Sequence, residues 1–242
     1  MEKTIFLNKD IEVLIVSAGG VGTTFLMDAI APYKKTNCSA NSDGYKYLPI
    51  PPISFNRKLK VVYVFGDPVM ASLSLFRRNY HHTQSVWATK FQQDNYVIPE
   101  NITIDDYGKN KKDGHYFENH FENWKERCLC YPSMFLKYEN IHDSLDGLGL
   151  FLDLPNSFIH DFPKKKERKS SIENLSEAGK SGLQEMYGEH QSTVQGYTHF
   201  FTVQPKKNIY SNAFTKIYRN AIVEAFYKKN PFIRKIKNKI WE

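Results

Sequence analysis

Six consecutive residues near the start of the chain could bind an anion: Gly19, Gly20, Val21, Gly22, Thr23 and Thr24. Glycines in such a run allow backbone N–H groups to converge on one point, and a helix that begins near Thr23 adds its unpaired N–H groups and the positive end of its dipole. The two threonine hydroxyls can donate to the same anion. This segment, which we name the glycine loop, is predicted to bind phosphate or sulfate; the alternative is a turn that only joins a strand to a helix.

The glycine loop differs from the loops that hydrolyse nucleotides. The pattern of ATPases and GTPases ends in Gly-Lys-Ser/Thr, and the lysine position is Thr23 here. Partition-type ATPases carry an additional lysine just before Gly-Gly-Val-Gly, and that position is Ala18. The dinucleotide pattern G-x-G-x-x-G is incomplete because its third glycine would fall at Phe25. These mismatches disfavour nucleotide hydrolysis and hydride transfer.

A second segment with similar chemistry follows further along the chain. An apolar run over Lys60–Phe65 is followed by Gly-Asp-Pro at 66–68 and then by a helical pattern. That helix carries Ser74 and the pair Arg77 and Arg78. A hydroxyl and guanidinium groups on one helix could hold a second anion.

The elements around these residues indicate an α/β protein. Strands are predicted at Ile11–Val16, Lys60–Phe65 and Met134–Tyr138, each followed by a turn and a helical pattern, as in parallel βαβ units. We expect a three-layer fold of the P-loop type, with a central, mostly parallel sheet of about five strands flanked by helices.

At 242 residues the chain is expected to form one domain over 1–242. Residues 81–114 are polar, aromatic and weakly periodic, which suggests a lid or insertion on the acceptor side. Residues 206–242 are predicted to contain a basic amphipathic helix at Ser211–Lys229. Further helices are predicted from Gly22 to just before Pro32 and over Pro68–Tyr80, His115–Cys128 and Asn140–Leu152, with a basic loop at Lys164–Ser171.

The formal charge of +7 is compatible with an anionic ligand or an acidic surface. No segment has the apolar length of a membrane span, and the start of the chain lacks a signal-peptide core, so we expect a cytoplasmic protein; the alternative is a luminal domain whose anchor lies outside this chain. The three cysteines show no metal-ligand spacing, which agrees with a reducing compartment.

Five segments in this order resemble the sulfotransferases that use 3′-phosphoadenosine-5′-phosphosulfate, over roughly residues 11–155. Gly-Val-Gly-Thr-Thr at 20–24 is similar to the family's Lys-Ser-Gly-Thr-Thr, and Gly-Asp-Pro at 66–68 to its Arg-Asp-Pro. Ser74 lies eight positions after Gly66, as the family's serine follows its arginine. The remaining similar segments are Phe117–Trp124, Phe135–Ile141 and Phe151–Pro155.

The resemblance implies transfer of a sulfuryl group from this donor to a hydroxyl or amine of an acceptor, without a metal. It implies that the glycine loop binds the 5′-phosphosulfate and that Ser74 with a nearby arginine binds the 3′-phosphate. The acceptor is expected to be a small molecule or a carbohydrate, with Trp87, Tyr96 and Tyr107 as aromatic residues that could stack on it.

Two charged residues of the family are replaced here. Its donor-site lysine aligns with Gly20 and its 3′-phosphate arginine with Gly66. Because sulfuryl transfer, like phosphoryl transfer, needs positive charge on the leaving oxygens, other cations must replace them. The candidates are Lys46, which precedes Leu48-Pro49 in a region that faces the acceptor in the family, Arg77 or Arg78, and Arg168 with Lys169 in the basic loop.

The acceptor also needs a general base, and His82 is the catalytic candidate proposed together with Lys46. His81, His115, His120 and Asp43 are the alternatives. Three other functions stay open: a sulfotransferase-like binding protein without catalysis, a nucleotide or nucleoside kinase, and a nucleic-acid-binding module that uses the basic Lys228–Lys239 segment. Nucleic acid is the least expected partner, because the basic segment contains no recognised binding motif.

Overall fold

A four-stranded sheet lies at the centre of the computed structural model, which describes residues 5–54, 56, 58–89, 96–127, 131–164 and 171–205. The chain divides into two compact units, Met1–Gln204 and Pro205–Glu242. Arg168, Lys169 and the predicted helix within 206–242 lie outside the described residues. All the helices and strands named below lie in the first unit.

The strands are β1 (Val13–Val16), β2 (Lys60–Phe65), β3 (Ser133–Lys137) and β4 (Phe200–Val203), and they are neighbours in that order. β1 pairs with β2 and β2 with β3 in parallel, whereas β4 adds to β3 antiparallel. Strands of a parallel sheet are covered on both faces and are therefore apolar along their whole length. All four residues of β1 are buried, as this rule requires.

Eight helices and two short 3₁₀ turns connect and cover these strands in the described residues. The turns span Tyr138–Asn140 and His142–Ser144. The helices are α1 (Thr23–Ile30), α2 (Pro68–Arg77), α3 (His81–Thr89), α4 (Ile104–Asn110), α5 (Phe117–Arg127), α6 (Leu145–Leu152), α7 (Ser157–Asp161) and α8 (Glu177–Gln195).

The alternation of side chains along the strands creates two apolar layers. Val13 and Ile15 of β1 point to the layer that contains residues of α1, α2, α6 and α8. Leu14 and Val16 point to the opposite layer, which contains Phe121 and Trp124 of α5. Because both faces of the sheet are covered, the molecule has the three layers predicted from the sequence.

Several predictions about the elements need correction. The described residues contain four strands rather than about five, and β4 was not predicted. α8 was not predicted either. Residues 140–152 begin with 3₁₀ turns, and the α-helix starts only at Leu145.

The 81–114 segment contains α3 and α4 and contributes to the core. Ile98 and Tyr107 in this segment have no exposed surface, so Tyr107 cannot stack on an acceptor as the sequence suggested. Trp87 and Tyr96 are half-buried. The placement of this segment beside an acceptor stays a prediction.

No helix in the described part of the chain is both long enough and apolar enough to cross a bilayer.

The crossing of α4 and α8 depends on glycines. A Cβ atom added at Gly182 of α8 would overlap the carbonyl oxygen of Gly108 in α4, and one added at Gly108 would overlap the carbonyl oxygen of Gly179. The two helix backbones are therefore in direct contact. This contact holds α8 against the rest of the fold.

We predict that Gly182→Ala lowers the free energy of unfolding by about 2 kcal/mol, because the added methyl group forces the two backbones apart. Gly149→Ala in α6 is the matched control, since a Cβ there would lie 3.9 Å from Phe158 in an ordinary contact. That change should be neutral or stabilise the protein by up to about 1 kcal/mol. Urea unfolding of both variants measures the difference, and equal stabilities would contradict the helix crossing.

Candidate functional site

The three parallel strands end at one edge of the sheet, and the predicted anion-binding residues follow them. The glycine loop follows β1, Gly66 follows β2, and Tyr138 and Glu139 follow β3. The Tyr138 ring lies against Gly22, and the Glu139 carboxylate lies beside Gly66. Ligands of open α/β sheets bind at this carboxyl edge, so the fold brings the candidates to the expected place.

The glycine loop has the backbone conformation that an anion site needs. Gly20 and Gly22 have φ angles of 77° and 71°, in the left-handed region that favours glycine. Gly22 is the cap residue that precedes the first turn of α1. Among the described residues, the backbone N–H groups of residues 20–24 have no hydrogen-bond acceptor. Unpaired N–H groups at a helix N-terminus are a favourable environment for an anion, and anion binding by this loop stays a prediction.

The two threonines of the loop have different surroundings. The Thr23 hydroxyl lies 2.5 Å from the Ser17 hydroxyl, and the residue is only 4% exposed. Thr24 is exposed. The Thr23 hydroxyl is therefore buried against Ser17, and of the two hydroxyls only that of Thr24 belongs to an exposed residue. Thr23 can offer an anion its backbone N–H group.

Lys46 supplies a cation to this loop. Its Nζ donates to Oγ1 of Thr24 (2.5 Å) and to the carbonyl oxygen of Ser39 (2.7 Å). The residue is 5% exposed, and no carboxylate lies within ion-pair distance of the ammonium in the described residues. Burial and the nearby positive charge of Arg78 lower the pKa of Lys46. A desolvated, unpaired cation next to free N–H groups favours an anionic ligand.

Arg78, rather than Arg77, lies on the Lys46 side of α2. Arg78 Nε donates to the carbonyl oxygen of Ser74 (3.0 Å), and its charge acts on both Lys46 and Tyr47. Ser74 is half-buried. Arg77 instead lines a separate cavity. Both arginines were candidates from the sequence. They lie on different sides of the helix because consecutive residues are about 100° apart around its axis.

α2 packs so closely on the loop that a side chain at position 20 has no room. A Cβ atom at Gly20 would overlap the backbone of Ala71 in α2. At position 66, a Cβ would lie 2.9 Å from Glu139 Oε1, which also accepts a hydrogen bond from the Asp67 N–H (3.2 Å). A lysine like that of the sulfotransferases cannot replace Gly20 without moving α2.

His82 lies on α3, the helix that contacts the glycine loop through Gln84. The Gln84 side chain lies against Gly19 and donates from Nε2 to the carbonyl oxygen of the preceding residue, Ala18 (2.5 Å). His82 Nδ1 bonds to the carbonyl oxygen of Ile98 (2.8 Å), which requires that Nδ1 carry the proton. In the neutral ring Nε2 is then the nitrogen able to accept a proton. No hydrogen bond in the described residues connects His82 to the loop.

The alternative bases are used structurally. His115 is fully buried and His120 nearly so, and burial lowers the pKa of each to about 3. His81 is stacked on Phe76 with 4.1 Å between the ring centroids. The Asp43 carboxylate accepts backbone N–H groups of its own loop. These four residues are therefore poor candidates for proton transfer at the glycine loop.

A cavity of about 600 Å³ lies on the other side of α2. Leu73, Phe76 and Arg77 of α2 line it together with residues 100–105 and with Ser171, Asn174 and Leu175. Among the described residues, no group of three or more His, Cys, Asp or Glu side chains is arranged to hold a metal ion.

No protein-family model matches the chain, and no curated protein matches it. The function is therefore inferred from the geometry of the glycine loop, Lys46 and Arg78.

We predict that Gly20→Ala costs clearly more stability than Gly44→Ala. Both residues have left-handed backbones, with φ angles of 77° and 74°, so both variants pay about 1–2 kcal/mol for the conformation. Only Gly20 also contacts α2, since a Cβ at Gly44 would have no neighbour within 4 Å. The additional overlap should cost about 1–3 kcal/mol more. Chemical unfolding of the two variants tests the close approach of α2, and equal losses would refute it.

We predict that His115→Phe reduces the loss of stability at acidic pH. The folded-state pKa of His115 is about 3, below its ordinary value of 6.5, so the unfolded chain binds more protons between these values and stability falls as pH falls. At pH 5 this loss is about 2 kcal/mol relative to pH 7.5. Phenylalanine keeps the packing against Phe117 and has no proton to bind. Urea unfolding at both pH values should give a loss that is smaller by this amount; an unchanged loss would show that His115 is not buried in its neutral form.

Proposed function

We propose that the protein is a sulfotransferase that moves a sulfuryl group from 3′-phosphoadenosine-5′-phosphosulfate to a hydroxyl or amine, with a carbohydrate as the expected acceptor. The fold, the loop conformation and the nearby cations support this function. The observation that carries the proposal is the buried ammonium of Lys46 at the N-terminus of α1. It provides the positive charge that a lysine inside the loop provides in the sulfotransferases.

Electrostatics explains why Lys46 can act from outside the loop. A cation contributes by its distance from the charge that develops, not by its position in the sequence. Its contact with Thr24 places the ammonium beside the free N–H groups of the loop. The 5′-phosphosulfate would bind those N–H groups and receive hydrogen bonds from Lys46 and the Thr24 hydroxyl.

A second anion site on α2 supports this donor in preference to a simple phosphate. Ser74 lies eight residues after Gly66, and the Arg78 guanidinium is held against the Ser74 carbonyl group. The contact of Ala71 with Gly20 fixes α2 relative to the loop. Two anion sites would suit a donor with a 5′-phosphosulfate and a 3′-phosphate, with Arg78 in place of the arginine that is missing at position 66.

The transfer would proceed by in-line displacement. The acceptor oxygen or nitrogen attacks sulfur while the bond from sulfur to the bridging phosphate oxygen breaks, and negative charge develops on that leaving oxygen. Lys46 and the loop N–H groups stabilise this charge. The acceptor proton passes to a base, for which we propose Nε2 of His82, because Nδ1 already donates to Ile98 and α3 contacts the loop.

We predict that Lys46→Met weakens binding of 3′-phosphoadenosine-5′-phosphate about 10- to 100-fold, because a hydrogen bond from a charged donor is lost. Methionine keeps most of the buried volume. Lys60→Met is the matched control: Lys60 begins β2, at the opposite end of the strand from Gly66, and pairs with Asp153. Its removal should leave the affinity within about threefold. Isothermal titration calorimetry measures both variants.

Calorimetric titration of the unaltered protein distinguishes the sulfotransferase from a kinase and from a binding protein without catalysis. ATP with magnesium should bind much more weakly than the phosphoadenosine compound; the reverse order would favour a kinase. Binding without any transfer to an acceptor panel would indicate a binding protein. No binding of either nucleotide to the unaltered protein would refute the donor site.

A further inference from the structure

The segment that carries Lys46 has its own internal hydrogen-bond network. It runs from Cys38 to Lys46, and we name it the Lys46 loop. Its backbone bonds join Asn41 N–H to the Cys38 carbonyl oxygen (2.9 Å) and Gly44 N–H to the Asn41 carbonyl oxygen (3.1 Å). Asn41 and Gly44 both have left-handed backbones. These two tight turns return the chain towards the glycine loop.

Two side chains inside the Lys46 loop hold these turns together. The Asp43 carboxylate accepts hydrogen bonds from Cys38 N–H (2.6 Å) through Oδ2 and from Tyr45 N–H (3.2 Å) through Oδ1. The Asn41 carboxamide oxygen accepts from Lys46 N–H (3.0 Å). Asp43 therefore joins the two ends of the segment, and Asn41 bonds directly to the backbone of Lys46.

The backbone of Lys46 is held on both sides. Asn41 binds its N–H, and its carbonyl oxygen accepts from the N–H of Ser17, the residue that follows β1 (3.2 Å). A lysine side chain is flexible because it has four rotatable bonds. A fixed backbone nevertheless limits the region that its Nζ can reach. With the backbone fixed, the ammonium reaches both Thr24 and the Ser39 carbonyl oxygen.

We propose that Asn41 and Asp43 are positioning residues that set the place of the Lys46 ammonium at Thr24. Their effect on donor binding rests on the proposed function; their effect on Lys46 does not. A buried ammonium without a carboxylate is costly, and it stays at Thr24 only if the surrounding structure gives it no route to solvent. The two side chains supply that restraint before any ligand binds, which reduces the entropy lost on binding.

The test uses the whole protein with Asn41→Gly, which permits the left-handed backbone and removes the carboxamide. NMR of isotopically labelled lysines follows the ammonium of Lys46, whose signal is assigned by its loss in Lys46→Arg. In the unaltered protein the pKa of Lys46 lies below 10.5. In Asn41→Gly the ammonium gains access to solvent, and its pKa should rise towards 10.5. Affinity for 3′-phosphoadenosine-5′-phosphate should fall at least tenfold.

The matched control is Asn8→Ala. Asn8 also accepts a backbone N–H through its carboxamide oxygen, that of Asp10 at 3.1 Å, but it lies in an exposed turn before β1. The control should leave both the Lys46 titration and the nucleotide affinity unchanged. Asp43→Ala is the second variant in case Asn41→Gly does not fold, and it should shift the Lys46 titration in the same direction.

The outcomes separate the two proposals. A Lys46 titration that is unchanged in both Asn41→Gly and Asp43→Ala overturns the positioning role, whatever the nucleotide affinity. A shifted titration in a protein that binds no phosphoadenosine compound supports the positioning role and refutes the donor site.

Discussion

The burial of the Lys46 ammonium at the N-terminus of α1 is the interaction on which the site depends. A cation removed from water without a carboxylate partner is unfavourable, and in the described part of the chain the Lys46 ammonium is compensated only by Thr24 and the Ser39 carbonyl group. The neighbouring N–H groups of the glycine loop are positively polarised, and they too have no acceptor among the described residues. An anion at this position would satisfy both sets of groups at once, and this common requirement connects the loop, the lysine and the proposed donor.

The packing of α2 explains why the cation comes from outside the loop. Gly20 lies directly against the backbone of Ala71, so position 20 accepts no side chain while α2 stays in place. The same packing brings Ser74 and Arg78 to the side of the loop where Lys46 lies. Close packing therefore excludes a lysine at position 20, so a cation at this loop has to come from another segment.

The sequence predicted the parts of the fold with the strongest patterns. β1 is a continuous apolar run, and β2 and β3 contain the apolar runs 61–65 and 134–136, as expected for buried parallel strands; each strand was located to within two residues. α8 was missed because the helix is polar overall and two of its six buried positions are the glycines Gly179 and Gly182, which read as turn residues. β4 has only four residues and lies at the edge of the sheet. Lys46 was predicted to supply positive charge to the site. Its contact with Thr24 could not be predicted because it depends on loop turns that leave no periodic pattern in the sequence.

A crystal structure of the protein with 3′-phosphoadenosine-5′-phosphate would test the proposed site directly. We predict that the 5′-phosphate accepts hydrogen bonds from the N–H groups of residues 22–24 and from Lys46 Nζ, with the 3′-phosphate at Ser74 and Arg78. A nucleotide bound elsewhere, or a 5′-phosphate in the glycine loop with Lys46 still bonded only to Thr24 and Ser39, would contradict it.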